Sequence, residues 1–169
     1  MTGTWSVVRF GKYKSKTLPQ ILLLDPDWFF WALPKLYGQL WEEAKDLGRK
    51  ARAVKIPGPS RKTRVVEYEY DENQRLLGFW FVKPEQPPNS RFCIRSRYLD
   101  LSRARRGGSY DKGGCRRLIR DFRRYYFGAD KRLTKERCEA FFNDEDNFIH
   151  PRPRQERIGV GSSEIRETA

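Results

Sequence analysis

Histidine is nearly absent from this chain and cysteine is sparse, and together these shortages remove several kinds of chemistry. The 169 residues hold one histidine, His150, and three cysteines, Cys93, Cys115 and Cys138. No CxxC or HxxxH spacing occurs, so a zinc centre would need ligands gathered singly from four places; no metal and no cofactor is expected. One histidine, lying in a Pro/Arg-rich C-terminal stretch, supplies neither an acid–base pair nor a triad. An odd number of widely spaced thiols reads as reduced, mostly buried side chains of a cytosolic protein. The start, MTGTWSVVRF, lacks the apolar run of a signal peptide. No stretch approaches the roughly 18 apolar residues of a membrane span. The expectation is a soluble, cytoplasmic chain with no membrane partner.

Acid is also short relative to base: 22 Asp+Glu against 35 Lys+Arg, a net charge of +13. Such an imbalance points to a polyanionic partner, with an incidentally basic surface as the plain alternative. The excess is not spread evenly. Residues 91–132 carry 14 basic and 4 acidic groups, whereas residues 57–90 carry 5 of each. A uniformly basic surface does not predict that concentration. What the chain has in plenty is aromatic residues, 5 Trp, 8 Tyr and 11 Phe, so most of it should fold.

The pattern predicts an α+β fold in three parts. Residues 1–56 form a small N-terminal β-turn/helical module, with a short β element over 5–13 and a turn at Lys14-Ser15-Lys16. Thr17 with Gln20 marks a capping box for a helix over 18–24, and Asp25-Pro26 starts a second helix through Leu33. Pro34 ends it, and a third helix covers 37–53. Residues 57–150 hold a central antiparallel β-meander ("RVVEYEY", "LLGFWFV", "RFCIRSRYL") followed by a C-terminal basic helical segment. Helices are expected over 112–127, capped by Asp111 or Ser109, and over 134–143, started by Thr134. Residues 151–169 have no apolar period and read as a flexible tail.

The basic segment is the strongest functional signal. In "KGGCRRLIRDFRRYYF", residues Cys115, Leu118, Ile119, Phe122 and Tyr126 define one buried stripe. Arg116, Arg117, Arg120, Arg123 and Arg124 occupy the remaining surface with only Asp121 for relief. Like charges three and four apart on a helix repel by about 0.2–0.5 kcal/mol per pair, which makes sense if phosphates neutralise them. A guanidinium binds phosphate or a guanine edge in bidentate fashion and also stacks on bases. Lys112 and the upstream Arg103, Arg105 and Arg106 extend the patch. Gly113-Gly114 would let backbone N–H groups approach an anion at the helix start. A solvated cationic face is the competing reading. The order helix, turn, helix over 112–143 differs from the common DNA-reading motif, because its turn is longer and its first helix is the basic one.

At the N-terminus, "FGKYKSKTLPQILLLDPDWFFWAL" (residues 10–33) resembles the small domain found at the C-terminus of exonuclease X and in related short bacterial and phage proteins. The pattern F-G-K-[YH]-[KR]-G-K-x-[LIF], then D-P-x-[YW] and a Trp in the next helix, is met by Phe10, Gly11, Lys12, Tyr13, Lys14, Lys16, Asp25, Pro26, Trp28 and Trp31. Ser15 stands where the pattern has glycine. The resemblance covers about residues 8–50 and implies a DNA-processing setting with an accessory, non-catalytic module. The exonuclease's own D-x-E carboxylate motifs are not found. Tyr13, Trp28 and Trp31 are expected to form a small aromatic core, with Lys12, Lys14 and Lys16 turned outward to phosphate.

Carboxylates offer little more. Glu67, Glu69 and Asp71 alternate along one strand, the spacing of a two-metal nuclease, yet no lysine follows in that pattern. The run "NDEDN" (143–147) lacks EF-hand spacing and reads as a solvated helix end. The chain is therefore expected to be a non-enzymatic nucleic-acid-binding accessory protein, DNA favoured over RNA, of bacterial, phage or mobile-element origin. The alternative is a protein-interaction factor that binds a host nuclease complex.

Overall fold

Helices begin where the sequence supplies a cap. The computed structural model describes residues 4–104 and 111–150. Thr17 opens α1 (Leu18–Leu24), its N–H donating to Gln20 Oε1 at 3.0 Å. Asp25 opens α2 (Pro26–Ala32), where Trp28 N–H donates to Asp25 Oδ1 at 3.1 Å and Pro26 fills the position that needs no N–H. Around Pro34 the chain tightens into a 3-10 turn, Leu33–Lys35, before α3 (Gly38–Ala51). Asp111 caps α4 (Lys112–Tyr126) and Thr134 caps α5 (Lys135–Asn143). All five helices lie within two residues of the spans the sequence predicts. Arg105, Arg106, the Gly107-Gly108 loop, Ser109 and the expected tail 151–169 lie outside the described residues.

The expected β element over 5–13 reduces to a single bridge between Val7 and Thr17. Gly11 at φ +68 and Ser15 at φ +74 coil residues 11–15 back on themselves, which leaves no second extended run to pair with. Ser15 is the position at which the resemblance expects glycine, and it adopts the left-handed backbone that glycine accepts more cheaply.

The sheet is antiparallel, with β1 (Val65–Tyr70), β2 (Leu76–Val82) and β3 (Cys93–Ser96). Its strand order, β2-β1-β3, corrects the expected meander: β3 returns past β2 and pairs with the far side of β1. The edge of β2 is closed to a further strand because α4 side chains occupy it. Alternation along β1 sends Val66, Tyr68 and Tyr70 to the core and Glu67 and Glu69 to the other face.

The core is continuous across residue 57. Val8, Leu22 and Leu47 belong to the same buried cluster as Tyr68, Phe79, Phe122 and Phe142. Aromatic contacts run from the sheet into the last helices: Phe79–Tyr125 at 5.5 Å, Phe122–Phe141 at 5.2 Å and Phe142–Phe148 at 5.6 Å between ring centres. Val54 bridges both Leu99 and Phe148. Lys50, only 6% exposed, donates to Phe142 C=O at 3.1 Å and pairs with Glu145, fastening α3 to the end of α5. Among the described residues no helix is long and apolar enough to cross a membrane.

Candidate nucleic-acid interface

Strand β2 is an edge strand, and α4 lies along its outer side. Leu76 N–H donates to Asp111 Oδ2 at 3.1 Å, Arg117 Nη1 donates to Leu76 C=O at 3.1 Å, and Phe79 N–H donates to Asp121 Oδ2 at 3.4 Å. Arg64 adds a fourth contact, Nη1 to Phe81 C=O at 3.1 Å. Gly78 makes this approach feasible, since a Cβ there would stand 2.7 Å from Asp121 Oδ2. The helix is thus fixed in rotation by polar side chains as well as by its apolar stripe. Cys115, Leu118 and Phe122 are buried as the spacing predicts, Ile119 and Tyr126 half-buried.

That rotation sorts the basic residues. Lys112, Arg116, Arg120 and Arg124 recur every fourth residue and are all exposed, so they form one ridge along the outer side of α4. Arg116 and Arg124 make no ion pair among the described residues; Arg124 lies 5.9 Å from the Tyr125 ring centre. Arg120 shares its charge with the buried Asp121, both contacts at 2.9 Å. Arg117 and Arg123 are half-buried, and Arg117 is occupied at the strand edge. The helix start is not open to an outside anion as the glycines suggested. Asp111 Oδ1 accepts Gly114 N–H at 2.7 Å, and a Cβ on Gly114 would collide with that same carboxylate at 2.2 Å. Gly114 admits the chain's own aspartate.

The lysines of the N-terminal module are similarly divided. Lys12 Nζ pairs with Asp25 Oδ2 at 3.4 Å, and Tyr13 OH donates to the same oxygen at 2.6 Å. Asp25 therefore caps α2 with one oxygen and holds Lys12 and Tyr13 with the other. Hydrogen bonding to Tyr13, with Asp25 beside it, raises the Lys12 pKa, while burial raises that of Tyr13. Tyr13 meets Trp28 edge-on at 5.1 Å, and Trp28 lies 6.3 Å from Trp31. Lys14 is exposed and Lys16 half-buried, neither in an ion pair among the described residues. Cys115, on the buried face in the first turn of α4, sits near Asp27 and Asp25, so α4 packs against the start of α2. Arg103 is half-buried, 3.8 Å from Asp100 and 5.7 Å from the Tyr68 ring centre.

The other candidate chemistries are taken up by structure. Glu67, 3% exposed, accepts from Arg95 Nε at 2.7 Å, and Glu69 accepts from Asn89 at 3.0 Å, which holds the 83–92 connection against the outer sheet face. Asp71 accepts from Asn73 and Arg75 N–H in the β1–β2 turn. In "NDEDN", Asn143 accepts from Trp5 and Asp144 caps a 3-10 turn. Among the described residues no group of three His, Cys, Asp or Glu is placed to hold a metal ion. Burial pushes the Cys115 and Cys138 thiols up to about 12, which leaves them protonated and unreactive at neutral pH.

Two surface hollows join segments that are distant in sequence. One, of about 280 Å³, lies between residues 6–10 and the start of α3, with Arg9, Phe10 and Tyr37 among its lining. The other, of about 540 Å³, carries Lys45, Arg49, Arg52 and Tyr98. Its cations are engaged: Lys45 with Glu42 at 2.9 Å, Arg49 with Asp46 at 2.6 Å, and Arg52 over the Phe30 ring at 4.7 Å. The only sequence signal for the first hollow was Phe10, inside the quoted motif; Tyr37 stood out only as a helix start. No family model matches the chain, and neither does any curated protein or solved structure.

Proposed function

We propose that the chain is a non-catalytic nucleic-acid-binding protein that favours DNA over RNA. It serves as an accessory subunit of a larger nucleoprotein or DNA-processing assembly of bacterial, phage or mobile-element origin. The observation that carries this reading is the ridge Lys112, Arg116, Arg120 and Arg124, four cations in register with one partial counter-charge. At about 1.5 Å per residue the ridge runs about 18 Å, long enough to follow several phosphates of one strand. Bound phosphates would relieve the self-repulsion that Asp121 leaves along it. The resemblance of residues 8–50 to the exonuclease X C-terminal domain supports DNA as that polyanion.

Fluorescence anisotropy with single-stranded DNA, duplex DNA and RNA of equal length, each over a salt series, tests the reading. Sub-micromolar binding to one form with a steep salt slope supports it. Uniformly weak binding, about 10⁻⁴ to 10⁻⁶ M near physiological salt, refutes it. A protein-interaction factor is the second reading, favoured by the outer sheet face, where Trp80 is 41% exposed.

A further inference from the structure

Tyr37 is 84% exposed, more than any other large apolar side chain among the described residues, and Phe10 in the same hollow is 46% exposed. Among the other exposed aromatics, Trp31 has Lys35 Nζ 3.1 Å from its ring centre, whereas Trp80 and Tyr98 have no cation over them among the described residues. Among the described residues Phe10 and Tyr37 have neither an aromatic nor a cationic partner. Tyr37 also occupies the N-cap position of α3 without contributing a capping hydrogen bond, where Ser, Thr, Asp or Asn would stabilise the helix. The ring is thus placed at a cost to the helix and buries little in return.

The hollow offers a phosphate one cation on its rim, with one carboxylate close by that is held by neutral donors. Arg9 is exposed on its rim and makes no ion pair among the described residues. The neighbouring acid, Glu43, is committed to Ser6, accepting from its N–H at 3.0 Å and its Oγ at 2.6 Å, and to Gln39 at 3.2 Å. At about 280 Å³ the hollow is at the small end of ligand sites, which run roughly 300–1,000 Å³, and suits a planar group better than a folded peptide. A duplex hides its base faces in the stack, whereas a single strand offers them.

We infer that this hollow is a base-stacking site for single-stranded nucleic acid: Phe10 and Tyr37 stack unpaired bases and Arg9 holds an adjoining phosphate. The inference rests on the nucleic-acid reading above and adds the form of the substrate. Stacking on an aromatic ring is sequence-tolerant because every base has a π-face.

The test uses the full chain and three probes of equal length: an oligothymidylate, a duplex and an abasic strand that keeps the phosphates without bases. Phe10→Ala and Tyr37→Ala should each weaken oligothymidylate binding by about 5- to 150-fold and leave the duplex and abasic strand unchanged. Tyr37→Phe and Tyr37→Trp should retain binding, while Tyr37→Leu, apolar but without a π-face, should not. Equal weakening on all three probes would make the hollow a phosphate site and overturn the inference. Unchanged binding on all three would overturn it in favour of a protein occupant, with the nucleic-acid reading intact. Failure of the unmodified chain to bind any probe would overturn both.

Discussion

Removing Arg116 and Arg124 together is the most informative perturbation of α4, because both are exposed and neither supports the fold through an ion pair among the described residues. Each duplex phosphate contact contributes about −0.9 to the slope of log affinity against log salt. Among the described residues Lys112, Arg116 and Arg124 are the ridge cations without a carboxylate partner, so the ridge alone should give a slope of about −2.7. A fourfold rise in salt then costs about 40-fold in affinity. Arg116→Ala/Arg124→Ala should cut the slope by about 1.8, reducing that salt effect to about fourfold. The same substitutions dissolve the like-charge pairs 112–116, 116–120 and 120–124, each worth a few tenths of a kcal/mol, so the variant should be more stable by about 1 kcal/mol. Anisotropy over a salt series measures the first effect and urea unfolding the second. A charge-matched control, Lys45→Ala/Arg49→Ala on α3, should leave the slope nearly unchanged. If the control flattens the slope as much as the ridge variant, binding follows net charge and the ridge is not a site.

Further outcomes follow from the fold. Ser15→Gly removes a left-handed non-glycine residue at φ +74 and should stabilise the chain by about 0.5–1 kcal/mol in urea unfolding. Arg95→Ala strands the Glu67 carboxylate, 3% exposed, and should cost about 3 kcal/mol, with Glu67→Gln in the same chain recovering part of it. Stability should fall above about pH 8.5. Cys115 and Cys138 stay protonated to about 12 when folded but ionise near 8.5 when unfolded, so the unfolded state binds fewer protons in that window. The loss should reach the order of 4 kcal/mol by pH 10, and Cys115→Ala/Cys138→Ala should flatten that part of the pH profile.

What the sequence disclosed was governed by distance along the chain. Thr17, Asp25, Asp111 and Thr134 announced their helices because a cap acts on N–H groups two or three residues away. The apolar stripe of α4 was equally local. Pairing of β3 with β1 was hidden, since strand order depends on which edge another element has already filled. For the same reason five arginines on one helix looked equivalent. Only the strand beside them shows that Arg117 holds Leu76 C=O and that Asp121, taken for surface relief, is buried against Phe79 N–H. The Phe10–Tyr37 hollow joins residues 27 positions apart, and no periodicity connects them.

The sealed edge of β2 has a consequence for how the chain is made. Synthesis completes the β1–β2 hairpin at Val82, whereas Asp121 is joined 39 residues later. Leu76 waits for Asp111 and Arg117 and Phe79 for Asp121, and a bare strand edge is a template for a neighbouring chain. Nascent copies on one message are therefore most prone to pair with each other in that interval. A chain cut short before Asp111 would keep the template permanently, and the ridge that is proposed to meet phosphate would be lost with the same cut.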